Sequence, residues 1–435
     1  MKFEYQKSAL VTEEQINALA ERLEPYRQHL SDVAERIDYA EPESSIQLPF
    51  DEDLITRVKK LADTLRTPTL QYVVVVGIGG SNLGAMSVYE AIAGSMNLLI
   101  DRLPKLLFLD TISDERMTAV TRQLVNASTI DDFAIIAISK SGGTTEVIAN
   151  MEALWHNLEE HYGDVSGRFA VVTGEHSKLW QAAENRAIQK ISLPDPVGGR
   201  YSVLSAAGLL PIELAKIDTD QLLQGAREAV KDGVSKDLSK NHALVSASLN
   251  LLHLQAERSM HNTFLFSPKL ESLGKWYRQL MGESIGKEKD LDGHTVHAGI
   301  TPIISIGSTD LHSMAQLYYG GPDDKFTNLV YAFEGNVNEV PAHLQLPGLV
   351  KEIQRKSLEQ IMTAIIGGVK AAYEEKKRPF ISIQLESITP KELGYYLQFR
   401  MIEMMYLAKL MNVNAFDQPA VETYKTATQN LLKSA

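Results

Sequence analysis

A dense set of hydroxyl groups and one lysine lies in residues 139–146, which read SKSGGTTE. An apolar run (133–138) precedes this stretch, and a helical pattern (147–158) follows it. Hydroxyls and an ammonium group can hold a phosphate through several short hydrogen bonds to its charged oxygens. A polar helix N-terminus, whose hydroxyls cap the backbone or face water, is the plainer interpretation. The residue types make the stretch a candidate phosphate-binding loop.

A second candidate loop is the glycine-rich turn of residues 77–84, GIGGSNLG, which follows another apolar run. It fails the dinucleotide-binding fingerprint because Asn82 stands where that motif has its third glycine, and it lacks the lysine that follows Gly84 in a nucleotide P-loop. A turn that brings Ser81 and free backbone N–H groups to a helix N-terminus still suits an anion, although a tight capped turn has the same composition. In a parallel sheet both loops would share the edge where ligands bind. Together the two loops favour a phosphate site over two unrelated caps.

Further motifs carry polar residues that could do acid–base or electrostatic chemistry. They are Arg200 in GGRYS, Glu283 in GESIGK, His312 in DLHSMAQ, and Gln418 with Lys425 in FDQPAVETYK. Each also has an ordinary interpretation, because surface arginines and lysines, glutamates near helix ends and lone structural histidines are common. If a helix starts at Pro419, Gln418 and Lys425 lie about two turns apart on one face.

The composition excludes several classes of protein. The chain has 435 residues, 44% of them hydrophobic and 23% charged, which is typical of globular proteins and long enough for two or more domains. Its net charge of −12 disfavours binding to nucleic acid or to an acidic membrane surface, and the absence of cysteine excludes disulfides, thiolate catalysis and cysteine-ligated metals. His294 and His297 lack accompanying ligands at a standard spacing, so no metal site is predicted. Without a signal-like start or a bilayer-spanning apolar run, we expect a cytoplasmic protein with no membrane partner.

The hydrophobic pattern predicts an α/β protein with two doubly wound parallel sheets and extra N- and C-terminal helices. A capping box at Thr12 and Gln15 predicts the start of the N-terminal helix. The predicted strands are residues 72–76, 106–110, 133–138 and 169–173 in a first series, and 263–266, 302–306, 329–333 and 380–384 in a second. We therefore expect an N-terminal helical segment at 1–45, a first domain with the phosphate loops at 46–195, and a second domain with the C-terminal helices at 196–435.

The motifs, taken in order, resemble the signatures of the phosphoglucose isomerase family, and in particular its shorter bacterial branch. They read GIGGSNLG, SKSGGTTE, GGRYSVLSAAGLLP, QLMGESIGK, DLHSMAQ and FDQPAVETYK, and the resemblance spans residues 72–425. The resemblance implies two sugar isomerase (SIS) domains and interconversion of glucose 6-phosphate and fructose 6-phosphate, in glycolysis and gluconeogenesis. It also implies a cis-enediolate intermediate, no metal or organic cofactor, and a homodimer with shared active sites.

The resemblance also implies roles for individual residues. Glu283 is similar to the base that moves a proton between C1 and C2, and Arg200 to the cation that faces the enediolate. His312 and Lys425 are similar to the pair that opens the sugar ring. The expected substrate-binding residues are Gly80, Ser81, Ser139, Lys140, Ser141, Thr144, Gln279 and Gln418. One departure is Gly143, where many bacterial members have threonine, so the phosphate loop has one hydroxyl fewer.

These residue types satisfy the chemistry of aldose–ketose isomerisation. An acid and a base must open the ring, a carboxylate must reach the C–H proton, and a cation must face the developing negative charge. Two alternatives stay open: the isomerase half of an amidotransferase that makes glucosamine 6-phosphate, and a sugar-phosphate sensor built on SIS domains. The first needs a cysteine nucleophile in an ammonia-delivering domain, and the second needs a DNA-binding motif with a basic patch. The sequence has no cysteine and shows neither motif nor patch.

Overall fold

The computed structural model of the chain describes residues 1–99, 104–127, 129–333, 335 and 338–434. The strands are β1 Lys2–Glu4, β2 Tyr72–Val76, β3 Lys105–Leu109, β4 Phe133–Ser139, β5 Phe169–Thr173, β6 Gln189–Ser192, β7 Met260–Leu265, β8 Lys287–Lys289, β9 Thr295–Ala298, β10 Thr301–Ile306, β11 Lys325–Ala332 and β12 Phe380–Leu385. The helices are α1 Glu13–Ala34, α2 Glu52–Leu65, α3 Leu83–Ala93, α4 Asp114–Val125, α5 Thr145–Tyr162, α6 Lys178–Asn185, α7 Ala206–Leu214, α8 Thr219–Gly233, α9 His242–Gln255, α10 Glu271–Ile285, α11 Thr309–Ser313, α12 Ala315–Gly320, α13 Leu358–Glu375, α14 Pro390–Leu410 and α15 Glu422–Ser434.

The first sheet is parallel throughout and has the strand order β3-β2-β4-β5-β6. Its central strands are β-branched and apolar, and every residue of β4 and β5 is buried, as expected for strands covered by helices on both faces. The strand order reverses at β2, which lies between β3 and β4. The loops that follow β2 and β4 therefore flank the crevice where open parallel sheets bind ligands.

The second sheet has the order β1-β12-β11-β7-β10. Four of these strands are parallel, whereas the short N-terminal strand β1 pairs antiparallel with β12 at the edge. A separate antiparallel hairpin, β8-β9, follows α10. The N-terminal segment thus contributes a strand to the second sheet as well as the helix α1.

The largest hydrophobic core joins the two sheets. It contains Val73 and Val75 from β2, Val330 from β11 and Leu280 from α10. Residues of the first sheet whose side chains point to its other face, such as Val74 of β2, pack in a second core with α4, α5 and α6. A third core lies between the second sheet and α13. Helix α10 is therefore held between the sheets, close to the loops of the first sheet.

The predicted α/β architecture with parallel sheets is confirmed. Every strand predicted from the sequence forms, and the bounds of Tyr72–Val76 and Phe169–Thr173 agree to the residue. The capping box of α1 forms as expected, with Thr12 and Gln15 each bonding the backbone of the other. The sequence did not reveal β1, β6, β8 and β9, because all four are short, partly polar strands at sheet edges or in the separate hairpin.

Within the described part of the chain, none of the helices combines the length and the apolar character that a bilayer crossing requires.

Candidate functional site

A cavity of about 740 Å³ opens at the carboxyl ends of β2 and β4. Its walls come from the two loops of the first sheet, the GGRYS turn, α10 and the C-terminal segment. The predicted site residues that line it are Gly80, Ser81, Lys140, Ser141, Thr144, Arg200, Gln279, Glu283, Gln418 and Lys425. Ser139 and His312 are the predicted site residues that do not line it.

The loop after β4 presents hydroxyls and an ammonium group to this cavity. Thr144 is the N-cap of α5, but its side chain makes no capping hydrogen bond. Its Oγ1 instead lies 2.8 Å from Oγ of Ser139, which is buried beneath the loop. Lys140 donates from Nζ to the backbone oxygen of Asp195 at 2.5 Å, and burial lowers the pKa of Lys140 while Asp195 counteracts that shift. The Thr144 hydroxyl thus does not cap α5, and the hydroxyl of the exposed Ser141 accepts a 3.4 Å hydrogen bond from the backbone N–H of Gly143. Both lie at a helix N-terminus, where an anion is favoured.

The glycine turn after β2 packs directly on the GGRYS turn. A Cβ atom at Gly80 would lie 2.2 Å from the carbonyl carbon of Gly199 and 2.5 Å from the backbone nitrogen of Arg200. Only glycine therefore permits this approach of two backbones. Gly79 has a φ of +58°, a conformation that also favours glycine. The turn brings Ser81 into the same cavity as Arg200.

A carboxylate and a guanidinium meet in the wall of the cavity. Helix α10 presents Gln279 and Glu283, one turn apart, and Gln279 donates from Nε2 to Oε1 of Glu283 at 3.0 Å. Arg200 donates from Nη1 to Oε2 of Glu283 at 3.2 Å and to Oε1 of Gln418 at 3.0 Å. The arginine side chain is only 2% exposed, whereas that of Glu283 is 31% exposed. The Glu283 carboxylate thus faces the cavity and is held from behind by the buried Arg200 guanidinium.

Arg200 is held by a shell of further acceptors. Its Nε donates to Oγ of Ser284 at 3.0 Å, and the hydroxyl of Tyr201 lies 2.9 Å from the same Oγ. Its Nη2 donates to the backbone oxygens of Ala415 and Asp417 at 2.5 and 3.1 Å. A guanidinium fixed in this way cannot swing out of the site, so its charge is preorganised where an oxyanion could form.

The C-terminal segment closes one side of the cavity. Gln418 precedes a short 3₁₀ turn, Pro419–Val421, so it does not share a helix with Lys425 as the sequence pattern suggested. Lys425 lies on α15, where its Nζ pairs with Glu422 at 2.8 Å. None of the residues of α15 is buried. Both polar side chains nevertheless reach the cavity.

His312 lies elsewhere on the molecule. It belongs to the short helix α11, which follows β10 at the edge of the second sheet, and it is exposed to solvent. The chain therefore brings the other predicted acid–base residues to one cavity and leaves His312 exposed outside its lining.

Sequence reasoning missed several residues that support the site. Ser284 and Tyr201 hold Arg200, and Lys287 contacts the backbone of both Glu283 and Asp417. All three lie within the GGRYS and GESIGK motifs, which was the only available signal. The contact of Ser284 with Arg200 and that of Lys287 with Asp417 join parts of the chain that are distant in sequence.

Two groups of side chains in the described residues have oxygen and nitrogen atoms close enough to share a cation. They are His29 with Glu41 and Glu43, and Asp290 with Asp292 and His294. Neither group lines the cavity. Clusters of this kind are common without an ion, and neither offers chemistry to a ligand of the cavity.

Comparison with known proteins finds relatives that match most of the chain. The family model described as phosphoglucose isomerase matches residues 7–435. The chain is 31% identical over 394 residues to glucose-6-phosphate isomerase of Carboxydothermus hydrogenoformans, covering 88% of this chain and 84% of that protein. It is 30% identical over 361 residues to the enzyme of the same name from Methanocaldococcus jannaschii, covering 83% and 84%.

Solved structures share the fold over nearly the whole chain. A crystal structure of a hypothetical protein from Thermus thermophilus matches with a TM-score of 0.84 and 28% identity, covering 99% of both chains. A glucose-6-phosphate isomerase from Chlamydia trachomatis matches with a TM-score of 0.80 and 18% identity, covering 99% of this chain and 88% of that one.

Proposed function

The chain belongs to the phosphoglucose isomerase family, and we propose on that premise that its cavity interconverts glucose 6-phosphate and fructose 6-phosphate. The observation that carries this proposal is the combination of two features in one cavity. A loop rich in hydroxyls, with Lys140, lies on one wall, and the Glu283 carboxylate lies against the Arg200 guanidinium on another. The first feature suits a phosphate, and the second suits proton transfer with a developing negative charge.

The phosphate end of the substrate takes no part in the reaction, so its binding serves to position the sugar. Ser81, Ser141 and Thr144 would donate to the phosphate oxygens, and Lys140 would supply a charge. Binding energy from this remote group can hold the reacting carbons near the base. Glu283 and Arg200 line the same cavity, which supports the proposal that one part of the cavity binds phosphate and another performs the proton transfer.

The proton transfer would proceed at Glu283. With the open-chain aldose, the carboxylate removes the proton from C2, and the electron pair of that C–H bond forms the C1–C2 double bond of an enediolate. The electron pair of the C1=O bond moves onto O1, and Arg200 faces the resulting negative charge. The proton of the O2 hydroxyl passes to O1, and the Glu283 carboxylic acid returns its proton to C1 as O2 forms the C2=O bond of the ketone. The hydrogen bond from Gln279 keeps the Glu283 carboxylate pointed into the cavity.

Ring opening would use Lys425 and His312. Lys425 lines the cavity, but His312 is exposed outside the lining of that cavity. We therefore propose that the active protein is a two-fold dimer in which each subunit lends its His312 to the site of its neighbour. We also propose a cytoplasmic location, since the charged substrates cannot cross a bilayer unaided.

A coupled assay tests the function. Purified protein is mixed with fructose 6-phosphate, and the formation of glucose 6-phosphate is followed with glucose-6-phosphate dehydrogenase and NADP. We expect sustained turnover without added metal, glutamine or ammonia. A protein that binds sugar phosphates without converting them would be a sensor, and one that needs an ammonia source would be an amidotransferase component. Either result would contradict the proposal.

A further inference from the structure

Lys287 is a buried cation next to the site that the proposed mechanism does not use. It is the first residue of β8, just beyond the end of α10, and its side chain is only 5% exposed. It is not one of the residues that line the cavity. Burying an ammonium group is costly unless it is paired and fully hydrogen-bonded, so its position calls for a physical account.

The Lys287 ammonium has two hydrogen-bond acceptors and one ion-pair partner. Nζ donates to the backbone oxygen of Glu283 at 2.8 Å and to the backbone oxygen of Asp417 at 2.5 Å, and it pairs with Oδ1 of Asp417 at 3.0 Å. The Glu283 carbonyl lies in the last turn of α10, where carbonyl groups lack a partner within the helix. Lys287 therefore caps the end of the helix that carries the proposed base.

The same ammonium joins that helix end to the C-terminal segment. The backbone oxygen of Asp417 accepts from both Lys287 and Arg200, and the next residue, Gln418, accepts from Arg200 as well. Burial lowers the pKa of Lys287, and its hydrogen bond and charge pairing with Asp417 counteract that shift. Because Asp417 is 49% exposed, this pairing can be weakened at low structural cost.

We propose that Lys287 is a positioning residue of the isomerase site. It fixes the end of α10, and with it Glu283, against the segment that carries Gln418 and leads to Lys425. This inference rests on the proposed function, and Lys287 acts through other residues without touching the substrate. The hydrogen bonds and the ion pair of Lys287 go to Glu283 and Asp417 and not to the phosphate loops, so its loss should disturb proton transfer more than binding.

The test compares Lys287→Met with Lys287→Arg and with the matched control Lys289→Met, an exposed lysine on the same strand. Each variant is checked by circular dichroism and assayed well below its melting temperature with fructose 6-phosphate. A displacement of the base by about 1 Å can cost a hundredfold, so we expect kcat of K287M to fall about ten- to a hundredfold. KM should stay within about threefold. K287R should recover part of kcat, and K289M should match wild type.

A merely structural role would lower the melting temperature and leave kcat of the folded enzyme unchanged. A second measurement distinguishes a positioning role from a structural one. In a Glu283→Gln background, K287M should lower kcat by less than about twofold, because both changes act on the same step. If K287M does not fold, Asp417→Asn replaces it and should lower kcat by about two- to tenfold.

Three results would overturn the inference. They are kcat of folded K287M within twofold of wild type, independent effects of K287M and E283Q, and a folded D417N with wild-type kcat when K287M cannot be purified. An inactive wild-type protein would refute the proposed function and this inference with it. An active wild type beside an unimpaired K287M would refute only the inference.

Discussion

At the scale of single residues, the hydroxyls of the phosphate loop have two different roles: some face the cavity, and one supports a neighbour. Thr144 and Ser141 line the cavity, whereas Ser139 is buried and holds Thr144 through a 2.8 Å contact. The residue types predicted that the loop binds phosphate, but they could not predict which hydroxyls line the cavity and which one is buried. The difference depends on the end of β4 lying beneath the N-terminus of α5, which only the folded chain defines.

The corresponding prediction concerns phosphate affinity. Ser141→Ala and Thr144→Ala should each weaken inhibition by inorganic phosphate about ten- to a hundredfold, because a hydrogen bond to a charged group contributes about 1.5–3 kcal/mol. Ser139→Ala should have a smaller effect, since it acts through Thr144. Inhibition constants measured in the coupled assay decide this, with Thr64→Ala, an exposed hydroxyl on α2, as the control. Wild-type inhibition of both cavity variants would show that neither hydroxyl binds phosphate.

At the scale of elements, the site depends on turns that meet without side chains between them. The sequence predicted the strands because their apolar, β-branched runs are local signals, and it predicted that their loops share an edge because the sheet is parallel. It could not predict that the turn at Gly80 packs on the turn at Gly199. That contact joins two glycine-rich turns that are distant in sequence, and nothing in either motif identifies its partner.

Gly80→Ala tests this contact between turns. The added methyl group would lie 2.2 Å from the Gly199 carbonyl carbon, so one backbone must move and Arg200 must move with it. We expect kcat to fall at least about tenfold, while circular dichroism shows both sheets intact. Gly367→Ala on α13, where a Cβ meets nothing within 4 Å, is the matched control and should keep full activity. Unchanged kcat in G80A would mean that the turn–turn contact does not position Arg200.

At the scale of the whole molecule, His312 is the predicted acid–base residue that does not line the cavity of its own chain. Its motif predicted a role in ring opening, and its exposed position outside the cavity lining supports the proposal that a second subunit completes each site. Composition and motif order carry no information about which surfaces meet in a dimer.

Mixed dimers test this sharing. Two inactive variants, Glu283→Gln and His312→Ala, are given different affinity tags, unfolded, mixed equally and refolded. If each site takes its glutamate from one chain and its histidine from the other, a mixed dimer has one intact site. Random pairing makes about half of the dimers mixed, so about a quarter of all sites should recover activity. Each parent refolded alone is the control. Isolated mixed dimers that are no more active than the parents would rule out sharing of His312.

The turnover of Glu283→Gln with fructose 6-phosphate, measured beside wild type, tests whether Glu283 is the base of the isomerisation. The substitution keeps the size of the side chain and removes the base. Wild type should form glucose 6-phosphate, and E283Q should be slower by about a hundred- to ten-thousandfold, the usual cost of losing a positioned general base. Inhibition by inorganic phosphate should be equal in the two proteins, because the phosphate loops are unchanged. Turnover of E283Q within tenfold of wild type would show that Glu283 is not the base.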